Sequence, residues 1–207
     1  MDLLPLDVAT VQTLKAFRAR VSREDAVKTF DSRGLRRWSV ARHLNPLRSI
    51  AELYLPFRIY RVCICRGDAL DTRYMGLDLL SGNLDPFTFD SQPSDSDTHP
   101  VVSKNHLPPV LDDATAEHIL TTKIQRILFQ SGFFRIKDLD IQLEPMIECL
   151  HMPYWVGFFG AKETASIQIL DATRRVIEGN KLRRSVYEWL TIGCTDSGGR
   201  TVPAGNV

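Results

Sequence analysis

Two short patterns bring together side chains that bind metals or act as nucleophiles. Cys63-Ile64-Cys65 and Cys149-Leu150-His151 each set two such groups two positions apart. On a β-strand the side chains alternate, so each pair points to one side. Thiolate and imidazole suit zinc, but the spacing differs from that of common structural zinc knuckles. Four cysteines (Cys63, Cys65, Cys149 and Cys194) in 207 residues are also too few for a disulfide framework. The simpler reading is small, buried, reduced cysteines, so no metal and no cofactor is expected. Cys149 with His151 beside it could act as a nucleophile with its base, yet no nucleophile signature surrounds it.

Three further groups carry chemistry. Asp78 and Asp171 stand at matching places in two similar stretches and could share acid–base work. An Asp at a strand end more often accepts hydrogen bonds from a turn. Arg33, Arg36, Arg37, Arg42 and Arg48 fall within sixteen residues around Trp38, a composition able to hold phosphate and stack a base. Phe57, Tyr60, Tyr154, Trp155 and Phe158 are strand aromatics. Such residues usually form core, but on an uncovered sheet face they would form a sticky surface. No phosphate-binding glycine loop, HExxH or GxSxG pattern is present.

The elements that must position these groups read as a duplication. Leu53-Tyr54-Leu55-Pro56-Phe57-Arg58-Ile59 returns as Leu150-His151-Met152-Pro153-Tyr154-Trp155-Val156. Leu77-Asp78-Leu79-Leu80-Ser81 returns as Leu170-Asp171-Ala172-Thr173-Arg174. Asp7 to about Ala19 has near-helical apolar spacing, and Ser22 opens a second helix with acids in its first turn. Residues 50–65 and 147–159 are dense in β-branched and aromatic residues and read as strands. A proline cannot donate to a ladder, so both strands are expected to begin near Pro56 and Pro153. Residues 73–80 and 166–172 are the returning strands. Asp112-Asp113 caps a helix with a buried stripe, Asn180 starts a last helix, and residues 91–112 read as an exposed linker. The expected organisation is residues 1–90 with the first helix–hairpin unit, the linker, residues 113–192 with the second unit and last helix, and a flexible tail over 193–207. The expected fold is α+β, with two αββ repeats forming an antiparallel sheet and helices mainly on one face.

Composition bounds the rest. Net charge is +1, yet residues 1–66 carry +7, residues 67–120 carry −8 and residues 121–207 carry +2. The basic and acidic blocks can therefore lie against each other. A sequence pI near 7.7 disfavours a nucleic-acid binder. No apolar run reaches the ~18 residues of a membrane span. Acids stand near the N-terminus where a secretory signal carries Lys or Arg, so the chain reads as cytoplasmic.

The hairpin pattern resembles the small modules of PepSY-like bacterial proteins. Asp78-Leu79-Leu80-Ser81-Gly82-Asn83-Leu84 matches their Asp-led turn, and Asp171-Ala172-Thr173-Arg174-Arg175-Val176 matches it with Arg175 in place of the glycine. The resemblance covers about 80 of the 207 residues and implies a binding or regulatory role rather than catalysis. The expected function is a non-enzymatic binding or assembly module. It would recognise a protein partner or a second copy through the aromatic face. The alternatives are a small enzyme using Asp78, Asp171, Cys149 and His151, or nucleic-acid contact through the arginines.

Overall fold

The computed structural model describes residues 11–35, 46–66, 69–130, 139–160 and 165–195. Among these lie seven strands and three helices. They are β1 (Gln12–Phe17), α1 (Arg23–Leu35), β2 (Leu47–Arg66), β3 (Ala69–Asp78), β4 (Phe87–Phe89), β5 (Thr98–Ser103), α2 (Asp113–Gln130), β6 (Leu139–Phe159), β7 (Ser166–Asp171) and α3 (Asn180–Thr195). The strands form one sheet in the order β4-β3-β2-β6-β1-β5, with β7 also pairing β6. Every pairing of named strands is antiparallel except that of β1 with β6. The sheet curls on itself. β1 meets β6 at Ala16 and His151, and the chain leaving β5 returns to β2, where His106 bridges Tyr54.

Three expectations are corrected. The segment expected to be the first helix contains β1: Leu14 and Ala16 face inward while Thr13 and Lys15 face out. Over so few residues, apolar spacing does not separate a helix from a strand whose partner lies 81 to 91 residues away. Asp7, its expected cap, lies outside the described residues. The expected linker contains β5, which pairs along its length with β1. Polar composition concealed it because one side of this two-stranded ribbon faces water. Finally, β2 and β6 do not begin at their prolines but run through them.

The prolines nevertheless mark a boundary. β3 pairs β2 only from Phe57 onward, and β7 pairs β6 only from Tyr154 onward. One residue earlier, the Pro56 carbonyl accepts from Leu79 N–H at 2.9 Å, and the Pro153 carbonyl accepts from Ala172 N–H at 3.1 Å. Lacking an N–H, each proline ends the ladder on the hairpin side of its strand. On the other side β2 and β6 continue together, with Tyr54 opposite Pro153 and Pro56 opposite His151.

Alternation along β2 separates two faces. Leu53, Leu55, Phe57 and Ile59 join Leu150, Met152, Tyr154 and Val156 in one core, closed by Leu182 and Val186 of α3. On the opposite face α2 covers Tyr60, Val62, Ile64 and Leu77 through Ala116, Leu120 and Ile124. On that same face α1 covers Trp155, Phe159 and Leu170 through Ala26 and Phe30. Two of the three described helices thus share a face and α3 takes the other. Each of the first two is capped by a side-chain oxygen. Ser22 Oγ accepts from Asp25 N–H at 3.2 Å, and Asp112 Oδ1 from Thr115 N–H at 2.8 Å. The approach to each helix is anchored alike. Arg20 and Val21 donate to the Ala172 carbonyl, and Val110 and Leu111 donate to the Leu79 carbonyl, all at 2.8–3.0 Å.

Candidate functional site

The two buried aspartates are built into turns. Asp78 Oδ1 accepts from the N–H groups of Ser81 and Gly82 at 3.0 Å, and its Oδ2 accepts from Leu84 N–H at 3.0 Å. Asp171 Oδ1 accepts from the N–H groups of Thr173 and Arg174 at 2.7 and 2.9 Å, and its Oδ2 from Arg174 Nε at 2.6 Å. Both are 1% exposed. A carboxylate so occupied organises its turn rather than transferring protons to a substrate. Each turn then needs a left-handed residue. Gly82 (φ 63°) supplies it in the first and Arg175 (φ 59°) in the second.

Cys149 and His151 lie on the opposite side of the sheet from the aspartates. Asp78 and Asp171 stand directly across from Phe57 and Tyr154, which face the α3 core. Cys149 and His151 flank Leu150, which faces that core, so they point the other way. The four groups proposed for a shared enzyme site therefore do not converge.

A polar cluster does form where the β2–β6 pair meets β1 and the segment after β5. His151 Nδ1 sits 3.9 Å from Cys149 Sγ, and the His106 ring stands edge-on to the His151 ring at 6.2 Å. Tyr54 donates its hydroxyl to Glu52 at 3.2 Å. Burial, then the neighbouring His106, depresses His151 to about 4, while burial raises the Cys149 thiol. Near neutral pH this is a neutral imidazole beside a neutral thiol, the reverse of an activated thiolate–imidazolium pair. Burial, then Glu52, pushes the Tyr54 phenol up to about 12. The cluster lies where β1 and the chain leaving β5 meet the β2–β6 pair.

The aromatic residues expected to form a binding surface are inside the protein. Phe57, Tyr60, Tyr154 and Trp155 are buried, and Phe158 is half-buried against the α3 core. The Trp155 indole N–H donates to the Val21 carbonyl at 2.9 Å. The strands looked apolar on both faces because helices cover both. Of the arginines, Arg36, Arg37 and Arg42 lie outside the described residues. Arg33 lies in α1, in a part where only the backbone is described, and Arg48 is exposed at the start of β2.

One sheet face is left open among the described residues. The distal parts of β3, β2 and β6 form a three-stranded arm. Its back is covered by α2 through Val62 and Ile64, with Ile141 and Leu143 alongside. Its front carries three cross-strand rows, Tyr74/Arg61/Glu144, Thr72/Cys63/Gln142 and Leu70/Cys65/Asp140. Arg61 and Glu144 form an ion pair, and Leu70 is 66% exposed. The sequence showed the alternation of Arg61, Cys63 and Cys65 with Val62 and Ile64. It gave no sign that the polar side would stay open among the described residues, because that depends on which elements pack against it in three dimensions. No protein family, curated protein or solved structure matches this chain. Among the described residues no helix is long and apolar enough to cross a membrane.

Proposed function

We propose that this protein is a non-catalytic binding module that docks a protein partner or a second copy through the open front of the β3–β2–β6 arm. The observation that carries the reading is that this three-stranded face, backed by α2, carries Leu70 exposed next to Asp140 across β2 and, two rows along, the paired Arg61 and Glu144. An exposed apolar residue rimmed by charge fits a modest, mixed interface. The scaffold behind it is, in this proposal, two copies of a βαββ unit, with β1-α1-β2-β3 matching β5-α2-β6-β7. Matched proline carbonyls, matched helix caps and matched left-handed turn residues support it. Each helix covers the other unit's hairpin, so neither unit has a complete core alone.

Sedimentation equilibrium across a wide concentration range tests the docking face. The expected result is self-association weakened by Leu70→Asp and by Arg61→Glu. If the chain stays monomeric, a cysteine-directed crosslinker on Cys63 should capture one defined partner in cells, and Leu70→Asp should abolish that capture. A monomer that captures nothing sinks the reading.

A further inference from the structure

We propose that Cys63 and Cys65 form a two-thiolate site for a soft monovalent cation, with Cu(I) as the ion whose chemistry fits. Both thiols are free and half-buried, and they share the open front of β2. Val62 and Ile64, on either side of Cys63, are 0% and 1% exposed on the opposite face. Free cysteine is among the most buried residue types when it serves only as a small apolar group. Here two thiols stand at the solvent-side positions of an amphipathic strand, where Thr72, Gln142 and Asp140 are their cross-strand neighbours. That placement is unexplained by core packing.

The geometry selects the ion. Side chains two apart on a strand point the same way from Cα atoms roughly 6.6 Å apart, so rotation about χ1 can turn both sulfurs toward one ion. Cys63 Sγ has only a loose contact to give up, 4.0 Å to Thr72 Oγ1. Among the described residues no group of three His, Cys, Asp or Glu side chains is disposed to hold a metal. Zinc, which takes four ligands, is therefore poorly served, whereas thiolates favour Cu(I), which two of them can satisfy. On binding, each thiol releases its proton to solvent and its sulfur donates an electron pair to copper. One Cu(I) enters, two protons leave, and no oxidation state changes. Arg61, next on the same face, lies close to the single negative charge that results.

The inference shares the open face with the docking proposal but needs no protein partner, so the two fail separately. The test is anaerobic titration of the reduced full chain with Cu(I) against a colorimetric Cu(I) chelator. A Cys149→Ser/Cys194→Ser variant should retain one Cu(I) per chain. Cys63→Ser and Cys65→Ser should each weaken retention at least tenfold while leaving the melting temperature of the metal-free protein unchanged. No retention by the Cys149→Ser/Cys194→Ser variant overturns the site, as does equal retention by the Cys63→Ser and Cys65→Ser variants. Self-association measured without copper then still stands on its own.

Discussion

Arg175 holds a backbone conformation that costs an L-residue about 1 kcal/mol, at the turn position where the first half of the chain has Gly82. Arg175→Gly should therefore raise the unfolding free energy by about 0.5–1 kcal/mol in denaturant titration, less whatever its exposed pairing with Asp25 contributes. Tyr154 shows the same logic in the core. Its hydroxyl is buried with no partner among the described residues, and the matching residue of the first half is Phe57. Tyr154→Phe should leave stability unchanged or raise it by about 1 kcal/mol, because a buried unpaired hydroxyl costs desolvation without return. Asp78→Ala should do the opposite. It strands three N–H groups and should cost about 3 kcal/mol or more. His151 makes stability depend on pH. Above about pH 6.5 it is neutral folded or unfolded. Between there and about pH 4 only the unfolded chain takes up the proton, so stability falls as the solution is acidified. The expected loss is roughly 3 kcal/mol, at about 1.4 kcal/mol per unit over some 2.5 units. His151→Leu should flatten that part of the curve in denaturant titrations run at a series of pH values.

At the scale of elements, legibility followed the length of the apolar pattern. α2 was readable because Ala116, Leu120, Ile124 and Leu128 recur along a single stripe behind an Asp112 cap. The long strands were readable from their β-branched and aromatic density. β1, β4 and β5 were not, since three to six residues carry too little periodicity, and β1 and β5 also find each other across more than 80 positions. Close packing between elements was equally invisible in sequence. Gly157 of β6 lies beneath Phe30 of α1, and a Cβ there would meet that ring at 3.1 Å. Gly157→Ala should force the Phe159 and Phe30 rings to give by a few tenths of an ångström and destabilise by about 1–3 kcal/mol. Restoring space with Phe30→Leu in the same chain should recover part of that loss, read as a double-mutant cycle.

At the scale of the whole molecule, the halves are interlocked rather than side by side. α1 is closed by β6 and β7, α2 by β2 and β3, and the β1–β5 ribbon joins both. A fragment of residues 1–90 should therefore show no cooperative unfolding, whereas the full chain should unfold in a single transition followed by circular dichroism. By itself the amino-acid order determined what is local. It set the pair of proline-marked hairpins, the aspartate turns and the capped helices, because side-chain period, φ preference and hydrogen-bond chemistry act over a few residues. Only the tertiary structure decided which helix covers which hairpin, that the aromatic strands would be buried on both sides, and that the thiol-bearing arm would keep one face open among the described residues. Those outcomes depend on contacts between residues some 90 positions apart. Many pairings bury similar apolar area, and the whole chain must fold before one of them wins.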